Sequence, residues 1–149
     1  MNAKRIPVLI ADDSEDDQFF CKRAARDLEQ LEIVGSVMNG EEVIAYFSGA
    51  AGYADRKRFP LPELLLLDLQ MPKRNGFEIL KWLKENPKPP GLTVVIVSGS
   101  IREEDIRQAL ALGADFYQAK PPDARSWNAM LRTIEFYASR QRKSQQREN

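Results

Sequence analysis

The sequence contains no histidine, only one cysteine and no apolar run long enough to span a membrane. Without histidine there is no imidazole base, nucleophile or metal ligand, so a bound metal would be held by oxygen atoms. Oxygen ligands favour magnesium, calcium or manganese. The single Cys21 excludes an intrachain disulfide and fits a reducing compartment. Together with the lack of an apolar leader stretch, these absences predict a soluble, cytoplasmic protein.

The chain also lacks an overall charge. Its 149 residues carry 22 basic and 22 acidic side chains, which gives no general attraction to nucleic acid or to a membrane surface. The charge is nevertheless uneven, because five of the six residues 12–17 are acidic and the end is basic. The length is most simply that of one domain. We expect this domain to cover residues 1–138, and residues 139–149 to form a basic, disordered tail.

A regular alternation of short apolar runs and helix-like segments is present instead. The runs typical of buried strands are residues 6–11, 31–38, 64–67, 92–97 and 114–119. Each is followed by a segment with helical spacing, which predicts an α/β fold: a (βα)5 doubly wound parallel sheet with the flavodoxin-like strand order 2-1-3-4-5. Residues 48–61 interrupt the rhythm with glycine, proline and basic residues, and predict a surface loop that extends the second helix.

Capping side chains predict where several helices begin. Ser14 precedes an acidic first turn, as a helix N-cap does. Asn75 with Glu78, and Ser100 with Glu103, have the spacing of capping boxes. The sequence therefore predicts helices that start directly after the first, third and fourth strands.

Polar side chains follow four of the predicted strands. Asp12 and Asp13 come directly after the first strand, Asp68 after the third, Ser98 after the fourth and Lys120 after the fifth. In a parallel sheet these ends lie along one edge, and the order 2-1-3-4-5 makes the first and third strands neighbours. Three carboxylates, a hydroxyl and an ammonium should therefore converge there.

Such a cluster has the parts of a phosphoryl-transfer site. Three close carboxylates repel one another unless they take up protons or bind a cation, and oxygen ligands with free positions suit Mg²⁺. Asp68 is central and a carboxylate can form an acyl phosphate, so it is the best nucleophile. Taken singly, the acids could be helix caps, Ser98 structural and Lys120 a solvated cation. Their convergence favours a site.

The chain resembles the response-regulator receiver domain, of the stand-alone CheY-like type, over residues 5–138. The motifs that carry the resemblance are Asp12-Asp13, the run 67–72 with Gly76 after it, Ser98-Gly99 and Lys120-Pro121. The resemblance implies that Asp68 is phosphorylated by a sensor histidine kinase or a phosphotransfer protein. It also implies that Mg²⁺ is held by Asp13, Asp68 and the backbone carbonyl of Gln70, with Asp12 assisting.

Further expectations follow from the same resemblance. Ser98 and Lys120 would bind the phosphoryl oxygens, and a cis peptide bond before Pro121 would aim Lys120. The turn at 71–76 would leave Asp68 exposed. Tyr117 occupies the position of an aromatic switch residue, although it could also be an ordinary core or edge aromatic of the fifth strand. The stretch 52–68 is similar to that of regulators that include partners of phytochrome-type histidine kinases.

The output we expect is a phosphorylation-dependent surface that recruits another protein, with no enzymatic activity beyond the regulator's own phosphorylation and dephosphorylation. About ten residues follow the last predicted helix, too few for a DNA-binding domain, so direct DNA binding is not expected. A monomer and a homodimer both remain open. Arg140, Arg142, Lys143 and Arg147 would act as a solubilising end.

Two other functions stay open from the residues alone. A small Mg²⁺-dependent phosphatase with an aspartyl nucleophile, of the haloacid-dehalogenase type, would need Asp-x-Asp after the first strand, whereas Asp12 and Asp13 are adjacent. A flavodoxin-like electron carrier would need a Ser/Thr/Gly-rich phosphate loop there. Residues 12–17 are mostly acidic and would repel a phosphate.

Overall fold

The computed structural model describes residues 4–148, and it describes side-chain surroundings as far as residue 144. Within these residues five strands and five helices alternate along the chain. The strands are β1 (Ile6–Ala11), β2 (Leu31–Val37), β3 (Leu64–Leu67), β4 (Thr93–Ser98) and β5 (Phe116–Ala119). The helices are α1 (Glu15–Arg26), α2 (Gly40–Ser48), α3 (Gly76–Glu85), α4 (Glu103–Ala111) and α5 (Ala124–Glu148).

The strands form one parallel sheet in the order β2-β1-β3-β4-β5, which confirms the predicted topology. The register places Ala11, the last residue of β1, between Val37 and Leu67 on the neighbouring strands. The next residues along the chain, Asp12 and Asp68, therefore leave the sheet side by side. The strand order and the register thus determine where the carboxylates meet.

Two apolar cores cover the two faces of the sheet. On one face, Ile10 and Leu66 pack with α1 and α5, for example against Leu131. On the other face, Leu65 packs with α2, α3 and α4, for example against Ile79. Because β1, β3 and β4 are buried on both faces, nearly every position is apolar, and their sequences read as continuous runs.

The predicted caps of α1 and α3 are confirmed. The Ser14 hydroxyl accepts a hydrogen bond from the backbone N–H of Asp17, at 3.2 Å. Asn75 and Glu78 form a complete capping box at the start of α3. Each cap directs the chain into a helix directly after the edge of the sheet where the acids lie.

The predicted capping box of Ser100 with Glu103 is wrong. Helix α4 begins at Glu103, but Arg102 is the N-cap residue and makes no side-chain cap. The Ser100 hydroxyl instead donates to the carboxylate of Asp105, at 2.5 Å. This side chain therefore joins the β4–α4 loop to the first turn of α4.

The last helix is longer than the apolar pattern predicts. The expected helix end near residue 139, with a disordered tail, is wrong, because α5 continues to Glu148. Arg142 forms a two-point ion pair with Glu63, at 2.8 and 2.9 Å, which fastens the extension to the start of β3. Arg142 is thus an anchor and not only a solubilising residue; the side chain of Arg147 lies outside the described part. Although α5 has 25 residues, neither it nor another helix within residues 4–148 is apolar enough to cross a membrane.

The predicted loop after α2 is confirmed, but one of its basic residues is structural. The guanidinium of Arg56 donates to the backbone carbonyls of Tyr46, Phe47 and Phe59, at 2.8–3.2 Å. Two of these are carbonyls of the last turn of α2, which lack partners within the helix. Tyr53 packs against the rings of Tyr46 and Phe59, with centroids 5.0 and 5.1 Å apart. The loop is therefore folded onto α2.

Gly76 provides a test of the close packing behind Asp68. A Cβ there would lie 2.6 Å from the Asp68 carbonyl oxygen and 2.8 Å from the Cα of Leu69. Because both atoms belong to the backbone, we expect Gly76→Ala to lower the free energy of unfolding by about 1–3 kcal/mol. Urea unfolding followed by circular dichroism measures this. Gly99→Ala is the control, since a Cβ there meets nothing within 4 Å; equal losses in both variants would contradict the prediction.

Candidate functional site

Three carboxylates converge at the carboxyl edge of the sheet, as predicted. One oxygen from each of Asp12, Asp13 and Asp68 lies within 4.8 Å of the others. Asp13 is exposed, whereas Asp12 and Asp68 are only 5% and 4% exposed. The expectation that Asp68 is exposed is therefore wrong, because the side chain of Lys120 lies against it.

Hydrogen bonds from the backbone orient Asp12 and Asp68, and the hydrogen bonding between β1 and β3 continues one residue beyond the end of β3. The N–H of Asp68 donates to the carbonyl of Ala11, at 3.0 Å. The carboxylate of Asp68 then accepts from the N–H of Gln70, at 3.2 Å, and that of Asp12 accepts from the N–H of Ser14, at 2.9 Å. Each acid is thus held by the turn that follows it, while its other oxygen contacts Lys120.

The ammonium of Lys120 binds three carboxylates at once. Its Nζ lies 3.0 Å from Asp12, 2.9 Å from Asp68 and 2.7 Å from Asp17. The expected cis bond before Pro121 is wrong, because no peptide bond in the described part of the chain is cis. A trans bond is favoured by about 0.5–1 kcal/mol before proline, and with it Lys120 already reaches all three carboxylates.

Two residues of the site were missed by the sequence analysis. Asp17 was interpreted only as a charge near the positive end of α1, yet it contacts Lys120. Gln18 is buried, and its amide donates to the backbone carbonyls of Asp12 and Val37, at 2.8 and 2.9 Å. Gln18 lies three residues before the buried Cys21, so its place on the inner face of α1 was the signal that could have identified it.

Ser98 is the last residue of β4 at this edge of the sheet, whereas Tyr117 lies within β5, and both make hydrogen bonds with Ser100. The buried Ser98 hydroxyl accepts from the N–H of Ser100, at 3.4 Å, and within the described residues it has no hydrogen bond to a carboxylate. The half-buried Tyr117 donates its hydroxyl proton to the carbonyl of Ser100, at 2.8 Å. Gln70 is exposed and lines a surface cavity with Asp13 and Ser100.

Burial and ion pairing shift two ionisation equilibria in the site. Burial raises the pKa of Asp12 to about 6, and the negative charge of Asp68 adds to this, although Ser14 and Lys120 act in the opposite direction. For Lys120, burial alone would lower the pKa, but the bonds to Asp17, Asp68 and Asp12 outweigh it and the pKa is raised. The cluster therefore holds its negative charge at a cost, which a second cation would reduce.

The donor atoms of the cluster suit a hard divalent cation. All three are carboxylate oxygens, and Asp13 is open to solvent, so a cation could keep several of its waters. The residues present therefore fit a magnesium-like ion at this edge.

The family model of the response regulator receiver domain matches residues 8–132. This chain belongs to that family. A receiver domain is a signalling module of two-component systems, in which receivers act with histidine kinases and bind divalent cations. The acidic cluster of Asp12, Asp13 and Asp68 is compatible with such a metal site.

Two cyanobacterial response regulators, one of them a phytochrome response regulator, are among the similar proteins. The crystal structure of the phosphorylated cyanobacterial phytochrome response regulator RcpA has a TM-score of 0.77 at 30% identity, with 88% of this receiver and 91% of RcpA covered. The Mn²⁺-bound structure of Rcp1 has a TM-score of 0.73 at 25% identity, covering 87% and 91%. The sequence of Rcp1 from Synechocystis is 33% identical over 78 residues, covering 52% of this receiver and 53% of Rcp1.

Longer proteins contain a similar receiver. A protein-glutamate methylesterase/protein-glutamine glutaminase from Desulfotalea psychrophila is 29% identical over 120 residues, which is 80% of this chain. This chain spans only 30% of the length of that relative. The similarity therefore concerns the receiver portion of the longer protein.

The raised pKa of Asp12 predicts a pH dependence of the metal-free protein. The ordinary pKa of the carboxyl is 3.8, and in the folded protein it is about 6. At a pH between these two values, the folded protein binds a proton at Asp12 that the unfolded chain releases. This contribution to stability is present below about pH 4 and is lost as the pH rises through about 6. Asp12→Asn has no such loss, so its stability relative to wild type should rise by about 2 kcal/mol between about pH 4 and pH 7.

Urea unfolding in the presence of a chelator, at several pH values, measures this difference. The exposed Asp16, four residues further on, provides the control, since Asp16→Asn also replaces an aspartate by asparagine but leaves the buried Asp12 in place. A stability difference between Asp12→Asn and wild type that stays constant with pH would show that the Asp12 carboxyl is not perturbed.

Proposed function

We propose that this receiver accepts a phosphoryl group on Asp68 from a sensor histidine kinase or a phosphotransfer protein and so acts as a response regulator. The observation that carries the proposal is the convergence of Asp12, Asp13 and Asp68 with the ammonium of Lys120, which lies 2.9 Å from Asp68. Membership of the receiver family favours this function over the aspartyl phosphatase and the flavin carrier.

Asp13, Asp68 and the backbone carbonyl of Gln70 would hold Mg²⁺, with Asp12 assisting. The cation, when bound, supplies positive charge that offsets the repulsion between the carboxylates and the phosphoryl oxygens. The all-oxygen donor set supports this assignment, and the Mn²⁺-bound structure of the similar Rcp1 agrees with it.

In the proposed transfer, a carboxylate oxygen of Asp68 forms the new bond to phosphorus while the bond from phosphorus to the imidazole nitrogen of the kinase breaks. The electron pair of that bond returns to the imidazole. Lys120 donates hydrogen bonds to the phosphoryl oxygens, and Ser98 offers its hydroxyl on the other side. The turn bonds from Ser14 to Asp12 and from Gln70 to Asp68 keep the acids oriented during the step.

Phosphorylation would then be read by another protein. Ser98 would move toward the phosphoryl group, and Tyr117 with the face formed by α4, β5 and α5 would change between two states. The link from Ser98 through Ser100 to the Tyr117 hydroxyl supports this role. We propose a cytoplasmic regulator that acts on a protein target as a monomer or homodimer.

A phytochrome-type histidine kinase is the first donor to test. The support is the likeness to RcpA, a phytochrome response regulator, at a TM-score of 0.77 and 30% identity. In the sequence, the stretch 52–68 is similar to that of regulators that include partners of phytochrome-type histidine kinases, and in the structure Arg56 fastens the loop after α2 onto that helix.

The phosphorylation site is tested with a small phosphodonor. With Mg²⁺ and radiolabelled acetyl phosphate, the wild-type protein should take up label that hydroxylamine removes, because an acyl phosphate is attacked by this nucleophile. Asp68→Asn should take up essentially none, whereas Asp16→Asn should be labelled as wild type. Label that persists in Asp68→Asn, or that resists hydroxylamine, would contradict the proposal that Asp68 forms the acyl phosphate.

The switch is tested at the Tyr117 ring. In protein labelled with 3-fluorotyrosine, beryllofluoride with Mg²⁺ should shift the ¹⁹F resonance of Tyr117, because its hydrogen bond to Ser100 would be replaced. Tyr117→Phe assigns the resonance. Tyr46, which is fully buried under the loop after α2, is the internal control and should not shift. An unmoved Tyr117 resonance in beryllofluoride-loaded protein would argue against the switch role.

A further inference from the structure

Asp17 binds Lys120 more closely than the other two acids do, yet it lies outside the candidate metal cluster. The Nζ of Lys120 is 2.7 Å from the Asp17 carboxylate. The oxygens that could hold a cation come from Asp12, Asp13 and Asp68. Two partners of Lys120, Asp12 and Asp68, are therefore also expected ligands of the cation, whereas Asp17 contacts Lys120 and is not among those ligands.

The cap of α1 explains why the Asp17 carboxylate is available. An acid three residues after the N-cap usually accepts a hydrogen bond from the N-cap backbone, as Glu78 does for Asn75. At α1 the N–H of Ser14 donates to Asp12 instead. The backbone of Asp17 is still fixed by the Ser14 hydroxyl, but its carboxylate is free to reach Lys120.

The surroundings strengthen this ion pair beyond that of a surface pair. The side chains of Lys120 and Asp17 are only 17% and 26% exposed. A small cavity beside the ion pair is lined by the three acids that bind Lys120 and otherwise by apolar groups, among them Cys21 and Trp127. Fewer waters can screen the two charges there, and their attraction is greater than in open solvent.

We propose that Asp17 is a positioning residue that draws the ammonium of Lys120 away from Asp12 and Asp68 when a divalent cation binds, and so lowers the cost of cation entry. Without Asp17, Lys120 has only those two acids as partners and competes with the cation for both. The inference rests on the proposed function for its metal site, but it concerns cation affinity and not phosphorylation itself.

A double-mutant cycle with Lys120 tests the proposal. Isothermal titration with Mg²⁺ and with Mn²⁺ gives the dissociation constants of wild type, Asp17→Asn, Lys120→Met and the double variant. Asp17→Asn should weaken binding by about tenfold, of the order found for partly buried charge pairs. Lys120→Met should tighten it, and in that background Asp17→Asn should change it by no more than about twofold, through the long-range field alone.

Two controls separate positioning from charge. Asp16→Asn removes the same charge from the same turn of α1 at an exposed position, and should change the affinity by no more than about twofold. Asp17→Glu keeps the charge and should restore most of the affinity. Asp17→Ser is a second charge-removing variant should Asp17→Asn fail to fold, which circular dichroism checks.

The outcomes distinguish this inference from the proposed function. Equal weakening by Asp17→Asn with and without Lys120 would overturn it, as would weakening by Asp16→Asn to the same extent, or a wild-type protein that binds neither cation. If the cycle gives the expected coupling but Asp68 takes up no label from acetyl phosphate, the proposed function fails and the positioning role stands. If Asp68 is labelled normally but the cycle shows no coupling, the positioning role fails and the proposed function stands.

Discussion

The carboxyl edge of the sheet depends on the ion pairs that the ammonium of Lys120 forms with three carboxylates. Asp12 and Asp68 are almost wholly buried, and an uncompensated buried charge costs several kcal/mol. Lys120 offsets both, and Asp17 completes a group of one cation and three anions. This group still carries excess negative charge, and burial raises the pKa of Asp12 accordingly. The site is therefore stable enough to fold but remains receptive to a further cation.

The fold and the position of the site could be predicted because they follow from burial. A strand covered on both faces must be apolar throughout, so residues 64–67 identify β3 without an alternating pattern. A parallel sheet then brings every strand's carboxyl end to one edge, where Asp12 and Asp68 follow β1 and β3. Strand order and register decide that Asp12 and Asp68 lie side by side. The alternation of apolar runs and helical segments along the chain was therefore sufficient to predict it.

The details that could not be predicted are polar contacts between distant parts of the chain. The role of Asp17 depends on whether the Ser14 N–H donates to Asp12, as it does, or to Asp17. Arg142 anchors α5 through Glu63, 79 residues away, so the end of the apolar pattern did not mark the end of the helix. The burial of Asp68 depends on the side-chain conformation of Lys120. Local sequence patterns do not contain these choices, because hydrogen bonds and ion pairs are set only once the backbone is assembled.

The interactions that hold α5 differ from those that hold the β4–α4 loop. This difference determines which elements would move when the site is phosphorylated. Arg142 holds α5 through a two-point ion pair at the start of β3, at the opposite end of that strand from Asp68. On the other side, hydrogen bonds of Ser100 connect Ser98, Tyr117 and, through the Ser100 hydroxyl, the first turn of α4. A displacement of Ser98 would break single hydrogen bonds there. A displacement of α5 would break the ion pair between Arg142 and Glu63 and the packing of α5 against the sheet. In the proposed function, the β4–α4 loop and α4 therefore move most when the face formed by α4, β5 and α5 changes state, and α5 moves least.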